Sequence, residues 1–116
     1  MKTVMIVTGE SSGELYGSLL AKALKKKNPD VKITGVGGER MKAAGVELIS
    51  GISHAFGISE AVSAYKAVKE TFRKAVDVIE KIRPDVLVLI DYPDFNIRLA
   101  KKAREKGIKT LYYVSP

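Results

Sequence analysis

The run Val86-Leu-Val-Leu-Ile90 does most to limit what this chain can fold into. It is uniformly apolar, rich in branched side chains and too short for a helix, so it reads as a strand buried on both faces. The residues that follow, Asp91-Tyr-Pro-Asp-Phe-Asn96, bring in a carboxylate where the strand leaves the core. In open α/β sheets ligands sit outside the carboxyl ends of the strands, so chemistry is expected at this turn.

Strand and helix patterns alternate from end to end. Thr3–Thr8 reads as a strand, Gly9–Glu14 as a loop, and a helix carries Leu15, Leu19, Leu20, Ala23 and Leu24 on one stripe before Pro29. Val31–Val36 is a second strand, followed by Gly37-Gly38 and a short helix closing near Gly45. Val46–Ile49 is a weaker strand, and Gly51–Gly57 is a loop. Ser59 or a neighbour is expected to cap a long helix. Its residues Val62, Tyr65, Val68, Phe72, Ala75, Val76, Ile79 and Ile82 recur at three- and four-residue steps. Pro84 ends it. Phe95–Lys106 is the last helix, stopped by Gly107, and Lys109–Val114 a fifth strand.

Repeated β-α-β units with short loops predict a Rossmann-like α/β domain, a parallel sheet of about five strands with helices on both faces. The expected order is 3-2-1-4-5 with right-handed crossovers. Strands one and four then meet at the switch point, so the Gly9–Glu14 and Asp91–Asn96 loops open into one crevice. The 116 residues suit a single domain. The sequence stops at Ser115-Pro116 directly after a strand, which reads as part of something longer.

The chain is 46% hydrophobic and 28% charged, as in ordinary soluble proteins. No apolar run approaches the roughly 18 residues of a membrane span, and the first residues lack the features of a signal peptide. With no cysteine and one histidine, disulfides, thiolate chemistry and multi-histidine metal sites are excluded. A cytoplasmic location is the default. The net charge of +7 gathers at Lys25–Lys27 and over Lys101–Lys109. Solvated helix faces with cations near helix C-termini explain it, and attraction to anionic lipid or phosphorylated substrates is the competing explanation. Nucleic acid is not expected, because no aromatic-and-basic pattern accompanies the charge.

The loop Gly9-Glu-Ser-Ser-Gly-Glu14 joins a strand to a helix. Glycines allow close backbone approach, the helix start offers N–H groups to an anion, and Ser11 and Ser12 add hydroxyl donors. The same letters equally describe a tight turn with a serine N-cap. The loop has no phosphate-loop lysine and does not match Gly-x-Gly-x-x-Gly. Asp91 suits a general base toward a substrate hydroxyl, or a carboxylate accepting turn N–H groups. Asp94, after Pro93, sits where a helix cap belongs. Asn96 faces the crevice or solvent. His54 is a loop residue with ligand contact as its lesser alternative. Phe56-Gly57-Ile58 lines an acyl pocket or folds onto the core. Arg40 pairs with a phosphate, or with Glu39 or Glu47. Of Tyr112 and Tyr113, one ring is expected to be buried and the other near the surface.

Together these pieces resemble the lipid-A-disaccharide synthases. The matching segments are Gly9–Glu14, Gly38-Glu-Arg-Met41, Phe56-Gly-Ile-Ser-Glu-Ala-Val62, Ile90-Asp-Tyr-Pro-Asp-Phe-Asn-Ile-Arg-Leu99 and Gly107-Ile-Lys-Thr-Leu-Tyr-Tyr-Val-Ser-Pro116, in the family's order. The resemblance implies the N-terminal, acceptor-side half of a two-Rossmann (GT-B) inverting glycosyltransferase that needs no metal or other cofactor. Diacylglucosamine passes from its UDP carrier to diacylglucosamine 1-phosphate. Asp91 becomes the base on the acceptor hydroxyl. Gly9, Ser11, Ser12, Gly13, Glu14, Phe56, Gly57, Asp94 and Asn96 become substrate-binding residues. The UDP-donor domain is expected outside this sequence, so residues 1–116 alone should be inactive. Association with an anionic membrane surface, peripheral on the inner membrane, is expected of the family.

Two positions depart from the family pattern: Glu14 replaces an Asp, and Phe56 stands where Met is frequent. Two other readings compete. A flavodoxin-like protein would hold the FMN phosphate on the Ser/Gly loop, although no Trp is present to stack on a flavin and the strand-four loop is acidic. An isolated folding module would have no ligand of its own.

Overall fold

The computed structural model describes residues 2–51 and 61–113. Five parallel strands form one sheet in the order β3-β2-β1-β4-β5, with β1 Thr3–Thr8, β2 Lys32–Gly37, β3 Glu47–Gly51, β4 Val86–Ile90 and β5 Thr110–Tyr113. Helix α1 spans Ser11–Lys27, α2 Glu39–Ala43, α3 Ala61–Ile82 and α4 Pro93–Glu105. The predicted Rossmann-like order is therefore observed.

The two-residue period of the central strands sorts their side chains into two cores. Val4 and Ile6 of β1 and Val88 and Ile90 of β4 join Ile33, Ala21 and Met41 on the α1–α2 face. Met5, Val7, Leu87 and Leu89 point the other way and pack with Ala75 and Ile79 of α3 and Phe95, Leu99 and Ala103 of α4. β4 is thus buried on both faces, as its composition required. β1 can lie this close to β2 because Gly35 has no side chain: a methyl there would collide with the Ile6 carbonyl oxygen. The edge strand β5 is less covered, with Tyr112 half-buried and Tyr113 exposed.

Helix starts are where local sequence signals were least reliable. α1 begins at Ser11 with Glu10 as its N-cap residue in extended conformation and no side-chain cap, so the serine N-cap is not formed. α4 begins at Pro93, two residues earlier than predicted, and its N-cap is Tyr92 rather than Asp94. Proline suits the first helical position because its missing N–H would have no intrahelical partner there. That shifts Asp94 into the first turn, where its charge still complements the helix dipole. His54, Phe56, Gly57 and Ser59 lie outside the described residues.

Candidate functional site

β1 and β4 are neighbours in register, with Thr8 opposite Ile90, so the turns that leave them emerge side by side. The first turn carries Gly9 and the start of α1, and the second carries Asp91 and Tyr92. A methyl on Gly13 would lie 3.6 Å from Asp91 Oδ2 and 3.2 Å from Ile90 Cγ2. A methyl on Gly9 would lie 2.6 Å from Tyr92 Cγ. The two glycines let the second turn close over the first, with the Tyr92 ring on Gly9 and the Asp91 carboxylate beside the first turn of α1. Asp91 is partly exposed, and Ser11 and Ser12 are exposed at the start of α1. The sequence expectation that the two turns come together at the switch point is met at Gly9, Gly13 and Asp91.

The backbone at this turn is unusual. Asp91 and Tyr92 both have positive φ, 53° and 48°, a left-handed conformation that side chains with a Cβ disfavour. Two side chains hold it from a distance. Asn96 Nδ2 donates to the Asp91 carbonyl at 2.8 Å and the Tyr112 hydroxyl donates to the same oxygen at 3.0 Å. The Asp91 N–H donates to the Tyr113 carbonyl at 3.2 Å, which extends the β4–β5 ladder into the turn. Asn96 is fully buried, so it faces neither crevice nor solvent as expected. Its position in the first turn of α4 points it back at the strand ends, where Nδ2 also lies 3.4 Å from the Ile90 carbonyl.

Glu14 takes a different place from the one its loop suggested. Only 6% exposed, it accepts the Met41 N–H on Oε2 at 2.7 Å. Its other oxygen lies 3.7 Å from an Arg40 guanidinium nitrogen. Arg40 therefore pairs with Glu14, and neither Glu39 nor Glu47 is the partner found. The carboxylate serves as a cap for α2 donated by α1, because Gly38 at the α2 N-cap has no side chain to do so.

Tyr92 and Tyr112 were not read from sequence as parts of the site. Burial, then the Asp94 and Glu10 charges, hold the Tyr92 phenol above its ordinary value. Burial, then the Asp91 charge, does the same for Tyr112. Both remain hydroxyl donors at neutral pH. Glu10 is an exposed acid at the rim of the crevice, and its influence on Tyr92 places it within electrostatic reach of the turn. A hydroxyl-bearing residue on the edge strand gives no local signal of this contact; only the strand order does.

On the other side of Tyr92 an open cleft of about 470 Å³ runs between α3 and α4. Tyr65, Val68, Phe72 and Phe95 form its walls and Lys69 and Arg98 its cationic rim. Its floor is an aromatic chain in which the Phe72 and Phe95 rings meet edge-on at 5.4 Å and Phe95 lies 5.5 Å from Tyr92. Farther along α3 a second groove is bordered by Lys66, Arg73 and Lys102. Among the described residues no helix is long and apolar enough to cross a membrane.

The arrangement has counterparts of known kind. The C-terminal domain of PF1911 hydrogenase from Pyrococcus furiosus superposes with a TM-score of 0.71 at 16% identity, covering 97% of this chain and 91% of that one. CalG4, the calicheamicin glycosyltransferase, gives a TM-score of 0.60 at 14% identity over 98% of this chain and 32% of its own. At such identities both establish the fold alone. Sequence relationship goes further. The lipid-A-disaccharide synthase of Coxiella burnetii (strain Dugway 5J108-111) is 40% identical over 99% of this chain, which spans 31% of that relative's length. The model of the lipid-A-disaccharide synthetase family matches residues 4–116. Nearly the whole sequence is thus accounted for, the two crevice turns included, and the chain belongs to the lipid-A-disaccharide synthetase family.

Proposed function

We propose that this chain forms the acceptor-side half of an inverting glycosyltransferase, in which Asp91 takes the proton from the attacking hydroxyl of an acylated glucosamine 1-phosphate. The donor is diacylglucosamine on a UDP carrier, bound by a second domain. The observation that carries this reading is the Asp91 carboxylate, partly exposed and packed beside the first turn of α1 at Gly13. A base must reach the proton it removes, and this one opens on a crevice at the carboxyl end of the sheet.

The acceptor's phosphate and acyl chains have chemically matched neighbours. Ser11, Ser12 and the N-terminal N–H groups of α1 suit an anion. The aromatic cleft beyond Tyr92 suits an acyl chain, with Lys69 and Arg98 at its rim. Asp94, exposed in the first turn of α4, borders that cleft, and its carboxylate suits contact with sugar hydroxyls. Asn96 and Glu14 serve the site indirectly, by holding the turn and α2. The cationic grooves along α3 favour a peripheral association with anionic lipid surfaces. Family membership does not favour the FMN-binding alternative.

Removing a proton is only part of glycosyl transfer, since the departing UDP must be stabilised as charge develops on it. Residues 1–116 alone are therefore a binding half without turnover. Titration of this chain with diacylglucosamine 1-phosphate tests the reading: saturable binding that Ser11→Ala and Ser12→Ala weaken supports it. Absence of binding to a folded chain, or turnover by the isolated chain comparable to a full-length synthase, contradicts it.

A further inference from the structure

We infer that Tyr112 is a positioning residue for Asp91, acting with Asn96 through the Asp91 carbonyl oxygen. The inference rests on the reading of Asp91 as the base. Asp91 and Tyr92 are successive residues at positive φ, 53° and 48°, a backbone that relaxes unless its surroundings hold it. The clamp is assembled from three elements. The turn itself leaves β4, Asn96 reaches back from α4 at 2.8 Å, and the Tyr112 hydroxyl comes across from β5 at 3.0 Å. A carbonyl oxygen accepts two bonds, so this pair fills it. With the Asp91 N–H on the Tyr113 carbonyl at 3.2 Å, both backbone polar groups of Asp91 are fixed. The direction of its Cα–Cβ bond, and hence of the carboxylate beside Gly13, follows.

Tyr112 does this with one atom. Its half-buried ring packs against the core formed with α3 and α4, and a phenylalanine ring would pack there equally. The hydroxyl adds the bond to Asp91. Burial and the Asp91 charge both keep that hydroxyl protonated, so it remains a donor across the neutral range. β5 thereby becomes part of the site through a single hydroxyl.

Tyr112→Phe tests this in two settings. In the chain itself, NMR couplings and relaxation of the Asp91 and Tyr92 amides report whether the left-handed pair persists. The expected result is averaging confined to these two residues and the Asn96 side-chain amide, with the melting temperature little changed. In a full-length synthase built on this chain, the expected kcat falls roughly five- to tenfold, the effect of one lost hydrogen bond, while the acceptor KM stays within about twofold, as for a loss confined to the transition state. Unchanged resonances and unchanged kcat, with Asp91→Asn inactive, overturn the role of Tyr112 and leave Asp91 as base. Changes spread across the whole sheet overturn it as well, because they mark a general structural role. Full turnover in Asp91→Asn overturns both.

Discussion

The Glu14 carboxylate, at the start of α1, accepts the backbone N–H of Met41 in the first turn of α2 at 2.7 Å. One buried acid thus ties the start of α1 to the first turn of α2 and supplies α2 with the cap it lacks. Hydrogen bonds to charged groups contribute about 1.5–3 kcal/mol, and their loss leaves a buried donor unpaired. Glu14→Ala should therefore destabilise the fold by about 2–3 kcal/mol and Glu14→Gln by about 1 kcal/mol. Urea denaturation of the three proteins measures this. Equal stability of parent and Glu14→Ala would mean that the carboxylate is not holding α2.

A second expectation concerns the contact that brings the two turns together. A methyl at Gly9 would stand 2.6 Å from the Tyr92 ring, and the ring must swing away to admit it. Because a side chain rather than backbone has to yield, Gly9→Ala should cost only about 1–3 kcal/mol. Acceptor binding should suffer more than stability, since the crevice changes shape. Gly35→Ala is harsher, because the obstacle there is the backbone carbonyl of Ile6 in the neighbouring strand. A cost above about 4 kcal/mol is expected, enough to leave the chain largely unfolded. Circular dichroism and denaturant titration distinguish the two outcomes.

The tyrosines set a pH dependence. In the folded chain Tyr92 and Tyr112 both ionise above their ordinary value of 10.0. Well below pH 10 each is protonated in both folded and unfolded states and its contribution is fully present. As pH rises past that point the unfolded chain releases protons first, and stability falls until the folded phenols ionise too. Urea midpoints measured from about pH 9 to about pH 11 should decline, and the decline should be shallower in Tyr92→Phe/Tyr112→Phe. An equally steep decline in the double variant would contradict the shifted phenols.

Much of the scaffold was legible because it rests on short-range pattern. β1 and β4 fall where their apolar runs lie, and the strand order follows from alternating units that need right-handed crossovers. That order was enough to bring Gly13 and Asp91 together. The missed features are contacts between elements far apart in sequence. Nothing near Glu14 announces that its partner is the Met41 N–H, 27 residues away. Nothing near Asp91 announces the Tyr112 hydroxyl, 21 residues on. Asp94 looked like a cap because Asp caps helices, but Pro93 took the first helical position and moved the boundary. Asn96 looked exposed because polar residues early in a helix are, yet a buried amide was needed to satisfy carbonyls at the strand ends.

The role of Asp91 is tested most directly by Asp91→Asn in a full-length synthase carrying this chain. Asparagine keeps the shape and tolerates positive φ, so the fold and the acceptor affinity of the 116-residue chain should survive. Losing a general base lowers rate by about 10²–10⁴-fold. The expected result is normal acceptor binding, by titration, with turnover reduced by that factor. Turnover near the parent's, with acceptor binding intact, would remove the Asp91 carboxylate from the chemistry and leave the crevice a binding surface only.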